Sequence, residues 1–148
     1  MRIAVDAMGG DNAPDAIIAG CLDSVELLGE EDELVLVGDQ QIIADALAAD
    51  PRGDDPRLKI EAAGDVIEMH ESPVQAVREK PDSSMVVAAN LGSRKAGEKL
   101  CDVVISAGNT GACVAAAQMA MRRLPGVHRP GIGVTLPTFH GPVVICDV

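Results

Sequence analysis

Val103-Val104-Ile105-Ser106-Ala107-Gly108-Asn109-Thr110-Gly111-Ala112 decides how this chain is read. Three β-branched residues make a short buried strand. A glycine-rich turn follows, and the small-residue stretch from Ala112 to about Met121 reads as a helix. The N-terminus repeats the arrangement. Arg2 to Asp6 reads as a strand, Ala7 to Ala13 as a glycine-containing loop, and Pro14 opens a helix where its missing N–H costs nothing. Ile17, Ile18, Cys21, Leu22, Val25 and Leu28 form one helical stripe, and Gly29 stops it. Leu34 to Val37 is a second strand. Ile42, Ile43, Ala46 and Leu47 mark a second helix. Asp50 to Pro56 is a polar surface loop, and Leu58 to Glu61 a third strand.

The middle is less regular. Asp65 to Met69 reads as a strand or an extended loop. Ser72-Pro73 starts a helix, and Pro81 interrupts. Asp82 or Ser83 caps a further helix through Met85, Val86 and Ala89 to about Ala96. Leu124 to Arg129 is a loop. Gly133 to Leu136 and Val143 to Ile145 are strands, and no internal repeat is visible. Strands alternating with helices predict an α/β sandwich with a mostly parallel sheet. Such sheets receive ligands at the carboxyl ends of their strands. The chain stops just after an apolar strand that nothing caps, so a piece of a larger fold is expected.

Composition narrows the classes. The 148 residues are 47% apolar, with one Phe and no Tyr or Trp. A core of Ala, Val, Ile and Leu suits a parallel sheet covered by helices. Nucleic-acid recognition through stacked aromatics is almost excluded, and a general basic surface is absent. There is no apolar run of transmembrane length. The acidic turn after Met1-Arg2-Ile3-Ala4-Val5 is unlike a signal peptide. The four cysteines form no CxxC pair, which fits free thiols in a reducing cytosol. The net charge is −11, carried by residues 1–56 at −12, whereas Arg78 to Arg129 is net +4. A solvated acidic helix face in the first third is one reading of this asymmetry, and reception of anions by the second half is the sharper alternative.

Three segments bear chemistry. In Ser106 to Gly111, Gly108 and Gly111 permit close backbone approach. Asn109 offers an amide and Thr110 a hydroxyl. The helix start presents free N–H groups, an anion site. A tight turn with a helix cap is the alternative, since the P-loop lysine and the third dinucleotide glycine are missing. Asp6-Ala7-Met8-Gly9-Gly10-Asp11-Asn12-Ala13-Pro14 bends the same way. Its two carboxylates suit positioning of donors better than cradling an anion, and a plain capped turn is again the alternative. His70-Glu71-Ser72-Pro73 places an imidazole beside a carboxylate. Arg78 and Lys80 follow as cations for a phosphate, unless this is only a surface loop. Cys113, in the first turn of its helix, reads as a small buried residue or a thiol made acidic by the helix. Arg129 stands before a stiffening Pro130. His70, His128 and His140 share no ligand spacing, so no metal is expected.

Together these segments resemble the bacterial phosphate acyltransferase family PlsX. The resemblance rests on Ile3 to Pro14, on His70-Glu71-Ser72-Pro73 with Arg78, Lys80 and Asp82-Ser83-Ser84, on Ser106 to Ala112, and on Arg129-Pro130 with the terminal strand through Asp147. It covers all 148 residues, with the motifs in order. It implies a single unit over 1–148, the N-terminal part of an acyltransferase domain whose second half is absent. The implied fold is a three-layer sandwich like isocitrate and isopropylmalate dehydrogenases and phosphate acetyltransferase. The implied reaction moves a fatty acyl group from acyl carrier protein to inorganic phosphate, giving acyl phosphate for phosphatidic acid and phospholipid synthesis. No cofactor is implied.

The expected site follows. His70, Asn109 and Lys80 carry the catalytic roles. Ser106, Gly108, Asn109, Thr110, Gly111, Arg78 and Arg129 receive phosphate. Asp6, Gly9, Gly10 and Asp11 position the others. The resemblance further implies a cytoplasmic homodimer, with peripheral contact to the inner face of the membrane through the absent half. No turnover is expected of residues 1–148 alone. Two rivals stay open: a phosphate acetyltransferase-like enzyme using coenzyme A thioesters, and a non-catalytic module that binds a phosphorylated metabolite.

Overall fold

A computed structural model describes residues 1–128 and 130–147. Four parallel strands form the sheet: β1 (Arg2–Asp6), β2 (Glu33–Gly38), β3 (Leu58–Ala62) and β4 (Val103–Ile105). Their order is β3-β2-β1-β4. Val5 lies between Leu36 and Ile105 in register.

Alternation along the strands builds two cores, because successive side chains point to opposite faces. Val5, Leu34 and Leu36 meet α1 (Asp15–Asp23) and α2 (Gln40–Ala48) through Ile18, Leu22, Ile43 and Leu47. Ala4, Val35 and Val37 meet α4 (Ser84–Leu91) through Ala88 and Leu91. A third cluster joins α3 (Pro73–Glu79), α4 and α5 (Thr110–Ala120) through Val77, Met85, Ala89 and Ala112. Helices thus cover both faces, and the expected α/β architecture with a mostly parallel sheet is present.

Several boundaries differ from the sequence reading. The helix starting after Ser83 ends at Leu91, not near Ala96. The Ser93 side chain accepts from Lys95 N and opens a separate 3-10 segment, Arg94–Lys99. Asp65 to Met69 is an extended loop with one bridge, Asp65 to Ser83. The helix expected from Ala112 begins at Thr110, because Asn109 caps it. The two C-terminal strands, β5 (Ile132–Thr138) and β6 (Gly141–Asp147), do not extend the parallel sheet. They pair antiparallel in a hairpin of their own. Among the described residues, no helix is long and apolar enough to cross a membrane.

The face of β1 and β4 beside α1 is only partly covered. An apolar groove of about 480 Å³ runs there, from Ile105 past Ile3, Ile17 and Gly20 to Met1.

Candidate functional site

The chain runs outward from β1 through β2 to β3, then returns to place β4 on the other side of β1. α1, which follows β1, packs on one face, whereas α5, which follows β4, packs on α4 over the other. The chain therefore leaves β1 and β4 toward opposite faces at the carboxyl edge, the place where open α/β sheets bind ligands.

Glycines bring these two loops into contact. A Cβ on Gly9 would lie 2.4 Å from Asp6 Oδ2 and 3.1 Å from the Gly108 nitrogen. One on Gly108 would lie 3.3 Å from the Gly9 Cα. Gly10 has φ +122°, a conformation that side chains resist. A short relay ties the loops: the Gly108 N–H donates to Ser106 Oγ at 3.1 Å, and Ser106 Oγ donates to Asp6 Oδ2 at 2.7 Å. Asp6 is only 1% exposed, and its other oxygen accepts from Met8 N at 3.3 Å. A cavity of about 260 Å³ lies beneath Ser106, between Met85, Cys113 and Ala117. Asp11, expected beside Asp6, is on the exposed outer part of its loop.

At the start of α5, Asn109 Oδ1 accepts from Ala112 N at 3.1 Å. Its Nδ2 donates to the carbonyl oxygens of Glu68, Met69 and Glu71, at 3.4, 3.3 and 3.2 Å. Thr110 and Gly111 are exposed, and their N–H groups have no acceptor among the described residues. They are the free donors of the helix start.

Lys80 binds the same stretch of chain, between residues 65 and 71. Its Nζ donates to the Val66 carbonyl at 2.7 Å and to Glu71 Oε2 at 2.8 Å, with Asp65 Oδ1 at 3.6 Å. That Glu71 oxygen also accepts from Glu68 N at 2.7 Å. The hydrogen bond from Lys80 holds the Glu71 carboxyl below its ordinary value, and raises Lys80 in return. Lys80 is thus engaged inside the protein. His70 and Arg78 are exposed, and the structure gives neither a polar side-chain partner among the described residues. Arg129 lies outside the described residues.

The sequence reading brought His70, Lys80, Asn109 and the two glycine loops into one site, and the structure gathers these segments at one edge. What it missed are the backbone carbonyls of 68–71 and the Glu71–Lys80 pair, which no residue spacing announces. Ser83, named as a candidate cap, does stand at the N-cap of α4, but it is fully buried and its hydroxyl has no partner among the described residues. Burial raises the Cys113 thiol, against any acidifying effect of the helix start, and pushes Cys21 up to about 11. No group of metal-ligating side chains occurs among the described residues.

A family model described as fatty acid synthesis protein matches residues 1–148. The chain belongs to that family. Relatives named phosphate acyltransferase match it throughout. One from Desulfitobacterium hafniense is 47% identical over 100% of this chain and 42% of its own length. One from Cyanothece sp. is 48% identical, over 99% of this chain and 41% of its own. One from Salinibacter ruber is 40% identical, over 99% and 42%. The chain therefore spans somewhat under half the length of these fatty acid synthesis family relatives.

Proposed function

We propose that this chain is the phosphate-receiving part of an acyltransferase that transfers a fatty acyl group from acyl carrier protein to inorganic phosphate. The observation that carries the reading is the meeting of two glycine loops at the carboxyl edge, where the strand order reverses between β1 and β4. There Gly9 and Gly108 touch, and the free N–H groups of Thr110 and Gly111 open the α5 helix. The family and the names of its members support the acyl and phosphate chemistry. A dehydrogenase-like three-layer sandwich, a cytoplasmic homodimer and a peripheral membrane contact belong to the same proposal.

The chemistry asks little covalent help of the protein. A phosphate oxygen attacks the thioester carbonyl carbon, the new C–O bond forms, and the C–S bond breaks as the thiol leaves with a proton. The protein orients the dianion against the carbonyl. It also stabilises charge on the carbonyl oxygen. Backbone N–H groups of Thr110 and Gly111 serve the phosphate, with Arg78 and Arg129 as cations. His70 serves the phosphate or the leaving thiol. Asp6 acts through Ser106 to fix the Gly108 loop.

The test joins residues 1–148 to the remaining part of the Desulfitobacterium hafniense relative. Hydroxylamine then traps acyl phosphate made from phosphate and a long-chain acyl donor. Hydroxamate is expected with acyl carrier protein thioesters and far less with coenzyme A thioesters. The reverse preference favours a phosphate acetyltransferase-like enzyme. No hydroxamate from either donor, with phosphate still bound, leaves a non-catalytic module.

A further inference from the structure

We infer that Asn109 is a positioning residue: it acts through the 68–71 segment that carries His70 and does not itself hold an anion. The functional meaning of this inference rests on the phosphate reading above; its geometry does not. An Asn side chain has two N–H donors and one carbonyl oxygen. In Asn109 the donors face three carbonyl oxygens at 3.2 to 3.4 Å, so one hydrogen is shared. The oxygen caps α5 through Ala112 N. The residue is 7% exposed. Every polar atom of the side chain is engaged within the protein.

The carbonyls it holds include those of Met69 and Glu71, the two neighbours of His70. Lys80 holds the adjoining stretch through the Val66 carbonyl and the Glu71 carboxylate. The chain then continues along the first turn of α5, where a Cβ on Gly111 would lie 2.7 Å from Pro73 Cγ. His70 is thereby presented, exposed, on a segment clasped to the helix start whose Thr110 and Gly111 N–H groups are free. Asn109 couples the two: the residue that caps the anion-receiving helix also sets where the imidazole stands.

The test uses the 148-residue chain and Asn109→Asp. The new carboxylate still accepts from Ala112 N, but it offers no donor and sets negative charge against three carbonyl oxygens. Amide hydrogen exchange is read at Glu68 and Glu71 and along α5, and the His70 ring resonances are followed while inorganic phosphate is added. Protection at Glu68 and Glu71 should fall by about tenfold or more, while α5 stays within about twofold of the parent. Phosphate should still move the Thr110 and Gly111 amides, and the His70 ring should lose its response. Lys80→Met should loosen the same segment with the α5 cap intact, which guards against a variant that merely unfolds. Unchanged protection at Glu68 and Glu71 in Asn109→Asp overturns the inference. So does loss of the Thr110 and Gly111 response while the segment remains protected, because Asn109 would then be a direct ligand. If phosphate moves no amide of the parent chain, the phosphate reading falls. The exchange data then decide the clasp on their own.

Discussion

Gly9 and Gly108 lie against each other but differ in what a methyl group would strike. At Gly9 the added Cβ meets Asp6 Oδ2 at 2.4 Å and the Gly108 backbone at 3.1 Å. Neither yields easily, since Asp6 is buried and bonded to Ser106. At Gly108 the nearest atom is Met85 Cε at 2.9 Å, the far end of a flexible side chain. Gly9→Ala should therefore destabilise the chain by about 1–3 kcal/mol. Gly108→Ala should cost clearly less, and urea midpoints of the two variants compare them directly. Equal losses would mean that Met85 gives way no more easily than Asp6. The sequence marked Gly108 for close backbone approach and Gly9 for a bend between strand and helix, and that much was readable from residue type. That Gly9 is confined by its own strand's Asp6 depends on a fold-back that spacing does not reveal. Asn109 is the sharper case. The sequence offered its amide to a ligand, but the backbone carbonyls of 68–71 take it up, and carbonyl positions are not written in side-chain identity.

Elements were legible where the apolar period was clear. The four parallel strands and α1 and α2 follow from runs such as Leu34 to Val37 and from stripes such as Ile18, Cys21 and Leu22. Ile43 is fully buried where α2 meets the sheet. Ile43→Ala should cost about 2–5 kcal/mol, measured by urea unfolding. The α4 boundary was less legible, because Ser93 begins a new turn with its side chain while the composition stays helical. Pairing of β5 with β6 was missed as a separate unit, since apolar runs alone do not distinguish parallel from antiparallel partners. Short turns carry the acid sensitivity. Hydrogen bonds from Arg52 and Arg57 hold Asp50 and Asp55 down to about 2, against an ordinary 3.8. A carboxylate lowered on folding stabilises above its unfolded value, and that contribution fades as pH falls through the folded one. The urea midpoint should hold steady above pH 5 and drop between about pH 4 and 2. Both carboxylates are half-buried at the surface and still reach solvent, so the drop should be modest and shrink in high salt. In Arg57→Ala the drop should be shallower, and an unchanged slope would remove this pair from the account.

On the scale of the whole molecule, apolar surface lies open on both the sandwich and the hairpin. Leu27 is 85% exposed beside the groove along α1, and Phe139 is 98% exposed at the hairpin tip. Contiguous apolar patches of this kind promote association. The isolated chain should bind an environment-sensitive apolar dye and self-associate as concentration rises. Leu27→Glu and Phe139→Lys together should reduce both effects, with stability unchanged to within about 0.5 kcal/mol per site. Light scattering and dye titration on the double variant check this, and unaltered dye binding would place the sticky surface elsewhere. The strand order has one more consequence, in time. β1, β2 and β3 all lie within the first 62 residues, but β4, the other neighbour of β1, ends at Ile105. At synthesis rates of about 5–20 residues per second, roughly two to nine seconds separate the completion of β3 from that of β4. Throughout that interval the nascent sheet shows an unpaired β1 edge to its surroundings, including sister chains on the same message. The strong negative charge of residues 1–56 then has a use unconnected with any ligand. Like-charged half-made sheets repel one another, and the edge stays open until its own β4 emerges to close it.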